Sequence, residues 1–137
     1  MNAPLYTTEI LRLAASLNAP AQLDREDGRA ELRSPTCGSR VTTAVTLDGE
    51  GRVTALSQTV HACAFGQASS ALLEQGAIGR DASQVESALA DLDRWLAGGE
   101  AVPDWCGVSA LAPARSRKSR HGAILLPFRA LLAAMRP

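Results

Sequence analysis

The hydrophobic pattern changes from strand period to helix period at Cys63, and this change restricts the possible folds more than any other feature of the chain. Before it, Val41, Thr43, Val45 and Leu47 alternate with Thr42, Ala44 and Thr46, and a return segment from about Arg52 to Val60 carries Val53, Leu56 and Val60. Such alternation, rich in Val and Thr, marks half-buried strands. Asp48–Gly51, with two glycines, reads as the hairpin between them. After Cys63 the spacing is helical: Phe65, Ala68 and Leu72 lie on one face of a segment rich in Ala and Ser, which can approach a neighbour closely. Gly76 is expected to stop that helix.

The rest of the chain fits around this switch. Ile10, Leu13, Ala14 and Leu17 form one apolar stripe of an opening helix, ended by Asn18 and Pro20. A charged loop leads to a short strand near Ala30–Arg33, and Pro35 and Gly38 flank Cys37 in a tight turn. Ser83-x-x-Glu86 reads as a capping box for a helix whose face is Val85, Ala88, Leu89, Leu92 and Leu96, ended at Gly98–Gly99. A loop with Pro103, Trp105, Cys106 and Pro113 follows. A last amphipathic helix carries Ile124, Phe128, Leu131, Leu132 and Met135, with Pro127 tolerable only in its first turn. Strands first and most helices afterwards predict an α+β fold: a three-stranded antiparallel sheet with helices packed mainly on one face. At 137 residues, the whole of 1–137 is expected to form a single domain.

Composition excludes several functions. Fourteen basic residues balance fourteen acidic ones, so the chain does not grip phosphates over its whole surface. Aromatic residues are few, and none lies in the local basic cluster Arg115–Arg120, so no nucleic acid is expected as partner. That cluster either docks an acidic surface or is a solvated loop. No stretch approaches the roughly 20 apolar residues of a membrane span; the run Ala130–Met135 is bounded by Arg129 and Arg136, so no membrane association is expected. The first residues lack a basic head and an apolar signal core, and the expected location is cytoplasmic. No GxSxG, P-loop, Rossmann or HExxH pattern occurs, and Ser69–Ser70 has no evident base, which leaves hydrolase and nucleotide chemistry without support.

Three cysteines, Cys37, Cys63 and Cys106, stand far apart and form no CxxC pair, so neither a disulfide framework nor a zinc ribbon is expected. Cys37 is either an exposed loop thiol or a small apolar side chain under a turn. Cys63 stands where a strand gives way to a helix. There the positive end of the helix favours thiolate, the form that binds metal or attacks sulfur; the other reading is packing against the sheet. His121, next to the basic cluster, is a ligand, a proton carrier or solvated surface. His61, two residues before Cys63 in extended chain, would share its face.

The two cysteine contexts together are more specific. SPTCGSRV, a strand–GEG–strand hairpin and ACAFGQASSALL resemble the core of the IscU/SufU/NifU-N family of iron–sulfur cluster scaffolds. The resemblance extends over nearly the whole chain: Tyr6 and the opening helix match the family's N-terminal segment, and Arg120-His121-Gly122-Ala123-Ile124-Leu125 matches its last metal-binding turn. The departures are specific. Ser39 stands where the family has an Asp, and Gly122 where it has its third Cys. Cys106, in Pro-Asp-Trp-Cys-Gly, lies too early for that motif. A Leu-Pro-Pro-Val-Lys tract is missing, and the stretch before His121 is long, closer to the SufU type.

The resemblance implies a scaffold and carrier rather than an enzyme. It implies that Cys37, Cys63 and His121 surround one site for an iron–sulfur cluster, of the [2Fe–2S] type, or for iron, with Cys106 or an outside ligand completing it. Ser39 and His61 are the flanking candidates. It also implies a cysteine desulfurase that delivers sulfur as persulfide, and apo iron–sulfur proteins that accept the product. The alternatives are a zinc-binding sulfur acceptor that builds no cluster and a degenerate homologue that only binds partners. The metal readings require the sulfurs of Cys37 and Cys63 close enough to share one ion, with the His121 ring beside them.

Overall fold

A computed structural model describes residues 6–35 and 38–136 of the chain. Helix α1, Thr8–Ser16, is capped by Thr7, whose hydroxyl accepts from the Ile10 amide at 3.1 Å, and it turns Ile10 into the core. Strands β1 (Gly28–Arg33), β2 (Arg40–Leu47) and β3 (Val53–His61) form an antiparallel sheet in the order β1-β2-β3. The hairpin behaves as its residues require: the Asp48 carboxylate accepts the amides of Glu50 and Arg52, each at 2.9 Å, and Gly51 takes φ +78. Helices α2 (Ala64–Gly76) and α4 (Lys118–Met135) lie on the sheet face carrying Val41, Val45, Leu56 and Val60. The other face carries Thr42, Ala44 and Ser57 and is crossed by the segment between α1 and β1, where the Ala21 amide donates to Ser57 Oγ at 2.8 Å. The expected α+β architecture, with helices mainly on one face, is present.

Small residues govern how closely the helices approach. A Cβ at Gly28 would stand 1.8 Å from the Ala134 carbonyl oxygen, so only glycine lets β1 meet the end of α4. A Cβ at Gly66 would stand 2.6 Å from Ala62 Cβ and 3.4 Å from Ala123 Cβ. Helix α2 is thereby buried nearly all round, which two serines allow because each has an acceptor: Ser69 Oγ donates to the Ile124 carbonyl at 2.6 Å and Ser70 Oγ to the Gly66 carbonyl at 2.9 Å.

Three expectations are corrected and one is refined. The capping box of α3 (Ala82–Leu96) is Asp81 with Gln84, each side chain bonding the other's amide, rather than Ser83 with Glu86; Asp81 is the last residue with extended backbone before the helix. Helix α2 ends at Gly76 as expected, though not by a left-handed turn: the missing Cβ of Gly76 makes room for the Trp105 ring, which would otherwise be 2.6 Å away. The supposed loop before the last helix contains a 3-10 helix, Val108–Ser116. Helix α4 begins at Lys118, not near Ile124, so Pro127 lies in its interior. Pro127 has no amide to donate to Ala123, but α4 is packed against α2, α3 and the sheet, and Ser69 supplies a donor to the adjacent Ile124 carbonyl.

Candidate functional site

Three chain segments meet at the end of the sheet opposite the hairpin. The first is the connection from β1 to β2. Its described part is held by the Ser34 amide donating to the Ser39 carbonyl at 2.8 Å and the Gly38 amide donating to the Ser34 carbonyl at 3.0 Å. Gly38 has φ +71, a conformation that suits glycine. Cys37 lies outside the described residues, and so does the expected approach of its sulfur to Cys63. Ser39 is buried.

The second segment is the junction from β3 to α2. His61 is the last residue of β3, and Cys63 is the N-cap of α2, with extended backbone and no hydrogen bond from its side chain to the helix. The first amides of a helix have no intrahelical partner and form its positive end, so the half-buried Cys63 thiol stands beside that end without being used to cap it. The next turn is fixed by Gln67, whose amide donates to the Cys63 carbonyl and whose side chain donates to the Ala62 carbonyl, both at 2.9 Å.

The third segment is the first turn of α4, which comes to the same end because α4 and α2 run side by side. Ala123 and Ile124 abut Gly66 and Ser69, while farther along Trp105 bridges Leu72 and Phe128. Against the sheet, Leu126 and Ala130 pack on Val41, and Ala134 reaches Gly28. His121, one turn into α4, is half-buried rather than solvated surface, and its Nε2 lies 2.9 Å from the Ala114 carbonyl. A carbonyl only accepts, so Nε2 carries the proton, and in the neutral ring Nδ1 keeps its lone pair. Metal-binding histidines are commonly oriented by such an outer hydrogen bond.

The structure does not bring Cys106 to this end. Cys106 is exposed, between Gly107 and a buried Trp105 whose ring nitrogen donates to the Leu72 carbonyl at 2.7 Å. Leu72 is nine residues after Cys63, about 13 Å along the helix. His61 is exposed and points away from the helices, since its neighbour Val60 packs toward them. Within the basic cluster, Arg115 is structural: its guanidinium donates to the Trp95 and Gly99 carbonyls at 2.9 and 2.7 Å and closes the end of α3. Sequence reading could not separate it from Arg117, Lys118 and Arg120, which form no ion pair among the described residues. Among the described residues no group of three His, Cys, Asp or Glu side chains is placed to hold a metal ion; Cys63 and His121 are the described members of the expected set. No helix among the described residues is long and apolar enough to cross a membrane.

No family model matches the chain, and no curated protein does. Among solved structures, the N-terminal part of a nitrogen-fixing NifU-like protein from Brucella abortus is 30% identical, with a TM-score of 0.84 over 96% of this chain and 92% of that one. A putative iron–sulfur cluster assembly scaffold protein for the SUF system from the thermophile Fervidobacterium islandicum is 20% identical, with a TM-score of 0.82 over 96% of each chain. A hypothetical protein, 21% identical over 94% of this chain and 97% of that one, has a TM-score of 0.79. The last two share the fold; the first shares both fold and sequence over nearly its whole length, and the chain belongs to the IscU/SufU/NifU-N-like family.

Proposed function

We propose that the chain is an iron–sulfur cluster assembly scaffold, with Cys37, Cys63 and His121 as the protein ligands of a labile cluster or of iron. The observation that carries this reading is the pairing at one end of two parallel helices: an uncommitted thiol at the N-cap of α2 and, in the first turn of α4, an imidazole whose Nδ1 is left free by the bond to Ala114. Thiolate and imidazole are a suitable donor set for iron or zinc. Few protein ligands near the surface suit a cargo that must be built and released. A cysteine desulfurase is the sulfur donor in this reading: an acceptor thiolate attacks the outer sulfur of the donor's persulfide, the S–S bond breaks, the donor's thiolate leaves, and the acceptor holds the persulfide. Apo iron–sulfur proteins receive the product.

A second reading, a zinc-binding sulfur acceptor, is favoured by one feature: Gly122 stands at the family's third Cys, leaving a mixed N/S set that zinc accepts in tetrahedral geometry. Anaerobic reconstitution with iron and sulfide separates the two. The scaffold develops thiolate-to-iron charge-transfer absorption that is lost in Cys63→Ala and kept in Cys106→Ala. Tight zinc binding without that absorption selects the zinc acceptor. Failure to bind either metal or to take up persulfide leaves a protein that only binds partners.

A further inference from the structure

The strand register places three basic residues in one row across the Cys63 end of the sheet: Arg33 pairs with Arg40, and Arg40 with His61. Directly paired residues point to the same face. Ala30, Leu32, Val41 and Val60 pack toward the helices, so the row points the other way, into solvent. Like charges directly opposite one another destabilise a sheet, and little among the described residues offsets this. Glu31 reaches Arg40 at 3.8 Å, while Arg33 and His61 have no acidic partner among the described residues. His61 is two residues from Cys63, so their Cα atoms are no more than about 7 Å apart. Across the Cys63 junction, on the helix side, stand Arg117, Lys118 and Arg120, also without ion pairs among the described residues and at a helix start, where cations are unfavourable. In a chain of zero formal net charge, this is a local concentration.

We propose that the row Arg33–Arg40–His61, with the first turn of α4 as its second arm, is a docking surface for an acidic patch on a protein partner, which it seats over the Cys63 thiol. Adjacent strands are about 4.8 Å apart, so the row is about 10 Å wide. This fits a compact acidic patch. An extended polyanion such as duplex DNA would continue along the same face onto Glu31 and the acidic segment at Asp24, Glu26 and Asp27. That the partner is the sulfur donor rests on the function proposed above; the surface itself rests on register and charge alone.

Titration of isotopically labelled protein with poly-L-glutamate, followed by amide chemical shifts, tests it. The expected shifts fall on residues 33, 40, 59–63 and 117–121, and they fade as salt rises through the range where exposed charges are screened. R33E/R40E is expected to weaken binding by about tenfold or more, while R94E, on α3, leaves it unchanged. R33E alone, which spares the Glu31–Arg40 pair, should give part of the loss, and metal binding at Cys63 should persist in all three. Shifts centred elsewhere, equal affinity of wild type and R33E/R40E, or tighter binding of duplex DNA than of poly-L-glutamate at the same salt overturns the proposal. If the acidic peptide engages the row but a cysteine desulfurase does not bind, the surface stands and the sulfur-donor reading falls. If metal binding fails while docking persists, the scaffold reading alone falls.

Discussion

At the hairpin end of the sheet, Asp48 accepts the amides of Arg52 and Glu50, and Asp27 accepts the amide of Leu47 at 2.8 Å and pairs with Arg25. At the Cys63 end, Arg33, His61, Arg117, Lys118 and Arg120 have no carboxylate partner among the described residues. Charges at the first end are used up inside the chain, where they shape turns and tie the crossing segment to β2. Charges at the second end do little for the fold. The contrast extends to packing: Gly28, near the hairpin end, is pressed against α4, while Gly38, at the other, has open space around its Cβ position. One end is built for stability and the other is left available to something outside the chain.

The same substitution at both glycines is the strongest way to break this comparison. Gly28→Ala must push α4 away from β1, and a loss of about 1–3 kcal/mol is expected in urea unfolding. Gly38→Ala meets no clash and bears only the strain of a left-handed backbone, roughly 1 kcal/mol. Equal losses would mean that the two ends are packed alike.

A smaller effect is expected from acid. Backbone donors, first Leu47 for Asp27 and first Arg52 for Asp48, with Arg25 adding to the former, hold both carboxyls below the usual aspartate range. A carboxyl held low in the folded chain contributes stability above its unfolded value, and that stability disappears as pH falls through the folded value. The hairpin end should therefore weaken below about pH 4. Asp27→Asn/Asp48→Asn should flatten the dependence of the urea midpoint on pH in that range. Arg33→Thr should leave its slope unchanged, and an altered slope would show that Arg33 has an internal carboxylate partner after all. The smallest effect is expected from Arg33→Thr by itself, which removes one member of a like-charged pair: stability should stay within about 0.5 kcal/mol or rise slightly. A clear loss would assign Arg33 a structural role and remove the contrast.

Much of this architecture is legible in the sequence. The hairpin is, because alternation and an Asp-Gly-Glu-Gly turn point to the same local geometry. The identity of Cys63 as a helix start is also legible, because the period changes there. The capping box was ambiguous because Asp81-x-x-Gln84 and Ser83-x-x-Glu86 both satisfy the pattern, and the backbone at Asp81 decided between them. The start of α4 was hidden because Lys118–Gly122 is polar or small and Pro127 argues against a helix interior; burial against α2, α3 and the sheet outweighs both signals. The 3-10 helix shows no amphipathic period to read. Arg115 could not be told from its neighbours without knowing that the end of α3 lies beside it.

The sequence alone determined which segments are strands and which are α-helices, the hairpin, the small-residue helix and the cysteine contexts that mark the family, because each depends on periodicity or turn chemistry within a few consecutive residues. Tertiary structure alone decided that Cys106 belongs to the far end of α2, that His121 offers Nδ1, and that Arg33, Arg40 and His61 share one rung. Those facts depend on strand register, helix direction and hydrogen-bond partners distant in the chain, and local pattern carries no information about them.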